Sequence, residues 1–483
     1  MSFVGRWKVT SGAVAAAAIL GVGLSYPAIP AGATPTATGR LAAASGVSPS
    51  AAAGTPQLNK VGTGKANQEV IRELVPCGKT MYAVGRFTSI KHGTTYTRNN
   101  IFSFSKTAPF NVTSWNPNVN GQVNAIAFNG SDCSHAYIGG SFTSINGTAV
   151  SNIAEISTSS GNVVSGFGHS ANNEVWTMVY AKGHLLTGGN FKFINGSKNP
   201  FMASLSPSTG KDDGFLHLNI SGDYSYCAVG GKPCTNSHHS QVYNQQLSHS
   251  GNLDLAEGRF TSVGGLPRQQ IFMLDLSGAK ASVTGWTSPE WDGSNKTADP
   301  YYQCWPSIAF YVRTAAWSPD DSTIYLANTG FKPAQNPGPG ARKGLCDSVS
   351  AWPATKGQVS HKWINYSGCD SFYSVAADNA AVYAAGHPRW ANNPNACNTA
   401  GTGAFPDPGL QGLDPGTGIA QPNSGGTALY TMTRANADNM LITSAGLWIG
   451  STNRYTVNKC GDLKGPPGHN SADHAGICFL PYP

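Results

Sequence analysis

Five ionisable side chains in three loops are the residues of this sequence best suited to chemistry. They are His169, Glu174, His238, His239 and Asp370. Each precedes a predicted first strand of a repeated unit, and such segments meet at one mouth of a central channel when the units form a ring. Histidine beside carboxylate can bind a metal ion or exchange protons. We favour the simpler interpretation, that these are polar loop residues at a water-filled channel mouth.

His238 and His239 follow Cys227 and Cys234, a combination that superficially indicates zinc. In an oxidising compartment the two cysteines are better explained as a disulfide. Adjacent histidines on an extended chain also point to opposite sides, so they chelate one ion poorly. No cofactor is therefore predicted, and a metal ion at the channel mouth is the alternative.

Aromatic side chains crowd the long insertions between repeats and give a second set of candidate contacts. In surface loops they can stack on sugar rings or bury in a protein partner. They can equally anchor their own loops, and the sequence leaves both interpretations open. The candidates are Tyr226, Trp291, Tyr301, Trp305 and Trp390.

Composition and motifs exclude several classes of function. The chain has no Gly-x-Ser-x-Gly elbow, no phosphate-binding loop and no His-Glu-x-x-His helix, so no catalytic residue is predicted. Its formal charge of +7 comes from 31 basic and 24 acidic residues that are scattered along the chain. A mildly basic surface without a basic cluster argues against a nucleic-acid groove.

A repeated motif positions these candidates. The pattern Gly-x-Phe, followed in most copies by Thr-Ser, occurs at residues 82–90, 137–145, 185–194 and 255–263. Its glycines, Gly85, Gly140, Gly189 and Gly258, are expected where a Cβ would collide with a neighbouring strand or block a β-bulge. The phenylalanine two positions later is expected to pack between neighbouring sheets.

Around the best copy, residues 123–167, four short strands alternate with turns, which is typical of a propeller blade. Degenerate copies of the second strand at 325–331, 382–388 and 447–451 bring the number of repeats to seven. We therefore predict an all-β fold, a single seven-bladed β-propeller of four-stranded antiparallel blades at residues 66–483. The alternative is two domains, with the degenerate half as a separate sandwich; a closed ring leaves fewer exposed strand edges.

The repeat also resembles a known family. The sequence Tyr-Ile-Gly-Gly-Ser-Phe-Thr-Ser-Ile-Asn-Gly at 137–147, followed by Asn-Ile-Ala-Glu-Ile at 152–156, is similar to the secreted bacterial β-propeller repeats of unknown function called delta-sixty repeats. The resemblance covers about residues 69–480 and is most specific in the first four repeats. It implies a propeller and export, and it transfers no catalytic residues.

The amino-terminal segment has the pattern of a secretory signal. Arg6 and Lys8 precede an Ala-rich apolar run, and Ala31-Gly32-Ala33 fits the small-x-small cleavage rule. We predict a signal peptide at 1–33 and a flexible Ala/Thr/Ser/Pro-rich leader at 34–65, with an uncleaved anchor as the alternative. The mature protein is then secreted or wall-associated, with no membrane segment.

Ten cysteines in an exported chain indicate disulfides. Their spacing favours local pairs, and two of them, Cys77 and Cys133, precede equivalent strands of adjacent repeats. The predicted pairs are Cys77 with Cys133, Cys227 with Cys234, Cys304 with Cys346, Cys369 with Cys397, and Cys460 with Cys478.

These features favour a secreted, monomeric, non-enzymatic propeller that binds an extracellular protein or glycan and no nucleic acid. The alternative is an extracellular glycan-active or metal-dependent enzyme on the same scaffold, because a fold does not determine chemistry. A purely structural wall protein is the third hypothesis.

Overall fold

The fold consists of short antiparallel strands throughout the residues described by the computed structural model, which are 46–58, 69–223, 240–291, 311–330, 344–430, 437–452 and 476–483. His238, His239, Tyr226, Tyr301 and Trp305 lie outside these residues, as does the predicted signal peptide. The described part of the chain contains no helix that could cross a bilayer.

The strands run in chain order as follows: β1 (Gln57–Leu58), β2 (Val70–Cys77), β3 (Thr80–Arg86), β4 (Ser89–His92), β5 (Thr94–Thr97), β6 (Ile101–Ser105), β7 (Gln122–Asn129), β8 (Asp132–Ser141), β9 (Ser144–Ile145), β10 (Thr148–Ala149), β11 (Ile153–Ser157), β12 (Val175–Ala181), β13 (His184–Gly189), β14 (Met202–Leu205), β15 (Ile220–Ser221), β16 (Gln241–Leu247), β17 (Leu253–Arg259), β18 (Ser262–Val263), β19 (Leu266–Pro267), β20 (Ile271–Asp275), β21 (Ser282–Val283), β22 (Tyr311–Trp317), β23 (Thr323–Thr329), β24 (Ser348–Pro353), β25 (Trp363–Tyr366), β26 (Phe372–Ala377), β27 (Val382–Gly386), β28 (Trp390–Ala391), β29 (Phe405–Pro406), β30 (Leu410–Leu413), β31 (Ala437–Thr443), β32 (Gly446–Ser451) and β33 (Ile477–Pro481).

Seven of the sheets in the described residues follow one another along the chain and share one topology. They are sheet 1 (β2-β3-β6), sheet 2 (β7-β8-β11), sheet 3 (β12-β13-β14), sheet 4 (β16-β17-β20-β21), sheet 5 (β22-β23-β24-β25), sheet 6 (β26-β27-β30) and sheet 7 (β31-β32-β33). In each, the first strand pairs antiparallel with the second and the second with the third, as the alternation of strands and turns predicts. Smaller hairpins such as β4-β5 and β9-β10 follow the motif strands.

The expectation of four strands in every blade is wrong in its detail. Sheets 4 and 5 have four strands, whereas the fourth segment of sheets 1, 2, 3 and 6 is held by a single bridge, for example between Ile156 and Val163.

A separate hydrophobic core fills the space between each sheet and the next. Sheets 1 and 2 share a core around Val84 and Ile138, and equivalent cores follow between each pair up to sheets 6 and 7. One further core joins sheet 7 to sheet 1, where Trp448 and Phe479 pack with Phe102 and Phe104. The first strands contact one another in the same cyclic order, including β31 with β2. Middle strands are largely buried on both faces because both faces are covered, which is the architecture of a β-propeller.

The glycines of the motif lie where a Cβ would collide with the neighbouring strand, as the sequence predicts. A Cβ on Gly85 would lie 1.9 Å from the Val70 carbonyl oxygen, and one on Gly140 would lie 2.1 Å from the Gln122 carbonyl oxygen. Equivalent clashes occur at Gly189 and Gly258, at 2.3 and 2.1 Å from carbonyl oxygens of the preceding strand region. The motif phenylalanines, Phe87, Phe142, Phe191 and Phe260, are at most 2 % exposed and belong to the cores between sheets, as predicted.

Residues 46–58, which we call the N-terminal segment, lie along the outer edge of sheet 7. Ser48 N donates to Pro481 O at 2.7 Å, Ala52 N donates to Phe479 O at 2.8 Å, and Gln57 bridges Gly476. Val47 and Leu58 are buried. This corrects the expectation of a flexible leader for these residues, because backbone pairing with β33 fixes a segment whose composition shows no strand pattern.

Two predicted disulfides are confirmed. Cys77 bonds to Cys133 and links sheets 1 and 2, and Cys369 bonds to Cys397. Cys346 and Cys478 are also disulfide-bonded. Their predicted partners Cys304 and Cys460 lie outside the described residues, as do Cys227 and Cys234, so those pairings stay predictions.

Candidate channel-mouth site

A cavity of about 560 Å³ lies where the first strands of all seven sheets face one another. Its lining includes residues from β2, β7, β12, β16, β22, β26 and β31, so it follows the axis around which the sheets are arranged. A volume of roughly 300–1,000 Å³ is typical of small-ligand sites. The described part of the chain therefore encloses a space suited to a small ligand or a few sugar units.

Every first strand in the seven sheets carries a β-bulge at the equivalent place, opposite the end of its partner strand. In sheet 1 the register shifts between Ile71 and Glu73, which leaves Arg72 unpaired in the ladder, and the other six sheets repeat this shift. A bulge re-aims the side chain of its extra residue. The seven bulge residues all line the cavity: Arg72, Asn124, Trp176, Tyr243, Arg313, Tyr373 and Asp438.

The bulges also explain the motif glycines. Gly85, Gly140, Gly189 and Gly258 pair with the residue just before the bulge, where the irregular backbone brings a carbonyl oxygen onto the glycine Cα. A side chain at that point would push the bulged strand away. The motif glycine therefore makes room for the bulge in the neighbouring strand, and the bulge places its extra residue at the cavity.

One side of the cavity, formed by sheets 7, 1, 2 and 3, holds balanced charges. Arg72 Nη1 lies 3.4 Å from Asp438 Oδ1. Asn124 Nδ2 donates to Glu174 Oε1 at 2.9 Å. Burial raises the pKa of Glu174, and the hydrogen bond from Asn124 and the charge of Arg72 partly offset that rise. This network ties the bulge residues of three sheets together.

The opposite side, formed by sheets 4, 5 and 6, is basic and aromatic. The Arg259 guanidinium carbon lies 5.5 Å from the centre of the Tyr311 ring, and that of Arg313 lies 5.5 Å from the centre of the Tyr373 ring. The Tyr243 hydroxyl donates to the Val312 carbonyl, and burial raises the pKa of Tyr243. We call Tyr243, Arg259, Tyr311, Arg313 and Tyr373 the Arg/Tyr wall.

Glu73 is the second acid of the cavity lining. Its Oε2 accepts a hydrogen bond from Ile126 N at 2.7 Å, across the boundary between sheets 1 and 2. Burial raises the pKa of Glu73 to about 8, although this hydrogen bond lowers it. Glu73 is therefore largely protonated at neutral pH, and it brings little negative charge to the cavity.

The described histidine and carboxylate candidates, His169, Glu174 and Asp370, each precede the first strand of a sheet and make separate contacts. His169 Nδ1 lies 3.2 Å from Phe167 O, and Glu174 bonds Asn124. Asp370 accepts from Arg389 Nε at 2.7 Å and from Arg389 Nη2 at 3.0 Å, an ion pair within its own loop region. Among the described residues no group of three His, Cys, Asp or Glu side chains could hold a metal ion.

The two aromatic candidates among the described residues, Trp291 and Trp390, lie in different surroundings. Trp291 is 1 % exposed, and its ring packs against Trp286 at 5.0 Å and Trp352 at 4.3 Å between ring centres. It anchors its own segment in the core between sheets 4 and 5, so it is not a surface contact. Trp390 is half-buried, with the Arg389 guanidinium 4.5 Å from its ring centre.

Sequence reasoning missed the bulge residues because no single residue type recurs in all seven sheets: two are Arg, two are Tyr, and the others are Asn, Trp and Asp. Their position in the repeat is the feature by which the sequence could identify them. Each follows a buried apolar residue at the start of a first strand, as Arg72 follows Ile71 and Asn124 follows Val123. Aligning the repeats by their second strands and reading the strand before each one would identify all seven residues.

Comparisons with known proteins add little to this picture. No family model matches the chain, and no curated protein matches it. Among solved structures, the WD40 β-propeller domain of Doa1 is similar, with 12 % identity and a TM-score of 0.39 over 83 % of this chain and 94 % of that one. The computationally designed Ika8 protein has 10 % identity and a TM-score of 0.41 over 88 % of this chain and 98 % of that one. The WD40 domain of Neurospora crassa Pan2 has 8 % identity and a TM-score of 0.32 over 65 % and 71 %. Similarity at this level carries no functional argument, and the fold assignment rests on sheet topology.

Proposed function

We propose that this chain is a secreted, monomeric, seven-bladed β-propeller that binds an extracellular protein or glycan at the mouth of its axial cavity. In this proposal residues 1–33 are a signal peptide, and the propeller closes through the core between sheets 7 and 1. The N-terminal segment supplies an outer strand to the last blade. The disulfides support an oxidising compartment.

The observation that carries the proposal is the set of bulge residues. The backbone irregularity recurs in all seven sheets, whereas the side chains at the bulges are of five types: two Arg, two Tyr, and one each of Asn, Trp and Asp. A β-bulge that recurs in every sheet but carries varied polar and aromatic side chains is an arrangement suited to ligand recognition. A core position would instead select similar apolar residues in every repeat.

Binding panels of immobilised glycans and of extracellular proteins test the proposal. We expect the folded chain to retain at least one ligand, and we expect Trp176→Ala and Tyr373→Ala to lose it. Phe193→Ala is the matched control, because Phe193 is 51 % exposed and lies outside the cavity lining. A ligand that both cavity variants retain would place the site elsewhere, and an empty panel would contradict a binding function.

A glycan-active enzyme on the same scaffold is the second candidate, and one observation favours it. Glu73 on the cavity wall has a pKa of about 8, which suits a general acid. If this candidate is right, a turnover found in a substrate screen should disappear in Glu73→Gln. A turnover that survives this substitution would remove Glu73 from consideration.

A further inference from the structure

The charge of the cavity is distributed unevenly, and this asymmetry indicates what it binds. Arg72 is balanced by Asp438 at 3.4 Å. The lining residues contributed by sheets 4, 5 and 6 include Arg259 and Arg313 but no carboxylate. The Arg313 side chain is exposed within the lining. Arg313 therefore presents positive charge to whatever occupies the cavity.

Two acids lie behind this wall. Asp254 and Glu257 are fully buried on β17. Burial raises the pKa of Asp254 to about 7 and that of Glu257 well above its usual range. Asp254 is further occupied by a hydrogen bond from Gln245 Nε2 at 2.9 Å.

The remaining groups of the wall suit a polyhydroxylated ligand. Tyr243, Tyr311 and Tyr373 line the wall with aromatic rings, and Gln241 and Asn244 add amides to the lining. Aromatic faces stack on the apolar faces of sugar rings, and amides both donate to and accept from hydroxyl groups. The planar guanidinium matches a carboxylate through two parallel hydrogen bonds.

We propose that the Arg/Tyr wall binds a carboxylate-bearing saccharide, such as a uronic acid unit of an acidic glycan, with the Arg313 guanidinium on the carboxylate. This inference rests on the proposed binding function and specifies its ligand. A cavity of about 560 Å³ admits a few sugar units but no folded domain. The amides and aromatic rings around the arginines favour a saccharide over an acidic peptide, because a sugar offers both hydroxyl groups and apolar ring faces.

Calorimetric titration of the mature chain with three probes tests the inference. The probes are tri-galacturonate, its full methyl ester and tri-glutamate. The ester keeps the sugar and removes the charge, and the peptide keeps the charge and removes the sugar. We expect tri-galacturonate to bind. The ester should bind about tenfold more weakly or not at all, as loss of a charge-assisted pair of hydrogen bonds predicts. Tri-glutamate should also bind about tenfold more weakly or not at all, because it has no sugar rings to stack on the aromatic side chains.

Two variants locate the contact. Arg313→Gln should weaken tri-galacturonate binding about tenfold or more, and Arg313→Lys should weaken it less, because lysine keeps the charge but loses the planar fork. Lys198→Gln is the control, since Lys198 is an exposed cation outside the cavity lining; its affinity should match the wild type. Unchanged melting temperatures would establish that the variants are folded.

Several outcomes would overturn the inference. Equal affinity for the acid and its ester would show a neutral-glycan site, and preference for tri-glutamate would show a peptide site; both leave the proposed function intact. No binding of tri-galacturonate up to millimolar concentration also defeats the inference. The proposed function falls only if the glycan and protein panels are empty as well.

Discussion

At the scale of single residues, Glu73 gives the clearest dependence on pH. Its pKa in the folded chain is about 8, above the ordinary 4.5, so between these values the folded state holds a proton that the unfolded state has released. The contribution of this proton to the free energy of unfolding is therefore fully present below about pH 4.5 and is lost as the pH rises through about 8. Glu73→Gln keeps an oxygen to accept from Ile126 N and has no charge to bury.

We expect Glu73→Gln to raise the free energy of unfolding at pH 8 by roughly 1–3 kcal/mol and to change it little at pH 4.5. Urea denaturation at the two pH values measures this difference. The same gain at both values would mean that the substitution acts through packing and not through ionisation.

Gly140 tests the link between the motif and the bulge. A Cβ at this position would lie 2.1 Å from the Gln122 carbonyl oxygen, so the bulged strand must move. Gly140→Ala should lower the free energy of unfolding by roughly 2–4 kcal/mol. Gly166→Ala is the control, because a Cβ there meets nothing within 4 Å. Similar melting temperatures for both variants would contradict a steric role for Gly140.

At the scale of elements, the disulfide between sheets 1 and 2 reinforces a boundary that the hydrophobic core already forms. Cys77 and Cys133 are 56 residues apart in sequence. Replacing both by alanine should lower the free energy of unfolding by roughly 2–4 kcal/mol, mainly by freeing the unfolded chain. Chemical denaturation with and without reductant measures this, and only the wild type should respond to reduction at this bond. An unchanged midpoint in the double variant would show that the bond adds nothing to the core.

The elements also show where sequence reasoning succeeds. The motif second strands, their buried phenylalanines and the crowding at Gly85 follow from local pattern, since residue type and spacing are read within one repeat. The bulges do not, because a bulge is a relation between two strands and leaves no fixed residue type at Arg72 or Tyr373. Candidates such as Asp370 were plausible because loops near a channel carry function, but its ion pair with Arg389 depends on chain geometry.

At the scale of the whole molecule, the N-terminal segment is held by side chains as well as by β33. Tyr383 Oη accepts from Val47 N at 3.0 Å and donates to Asp378 Oδ2 at 2.8 Å, and Tyr430 Oη donates to Val47 O at 3.0 Å. These contacts join the beginning of the described chain to sheets 6 and 7. No local pattern predicts them, because the partners are 336 and 383 residues away.

We expect Tyr383→Phe to lower the free energy of unfolding by roughly 1–3 kcal/mol, because Val47 N and Asp378 both lose a partner in a buried place. Tyr96→Phe is the matched control, as Tyr96 keeps its ring contact with Arg98. Hydrogen exchange should show faster exchange across both the N-terminal segment and β33 in Tyr383→Phe. Faster exchange in the N-terminal segment alone would mean that it is not coupled to the last sheet.

The pairing of Ser48 with Pro481 and of Ala52 with Phe479 also sets an order of events during folding. The partners lie near opposite ends of the described chain, so this pairing closes a long loop and is expected to form slowly. Until β33 arrives, sheet 7 lacks its third strand and the Ser48 and Ala52 amides lack their carbonyl partners. The predicted signal peptide implies that the chain crosses a membrane unfolded. Pairing between the N-terminal segment and the last strand would then be possible only after the whole chain has been translocated.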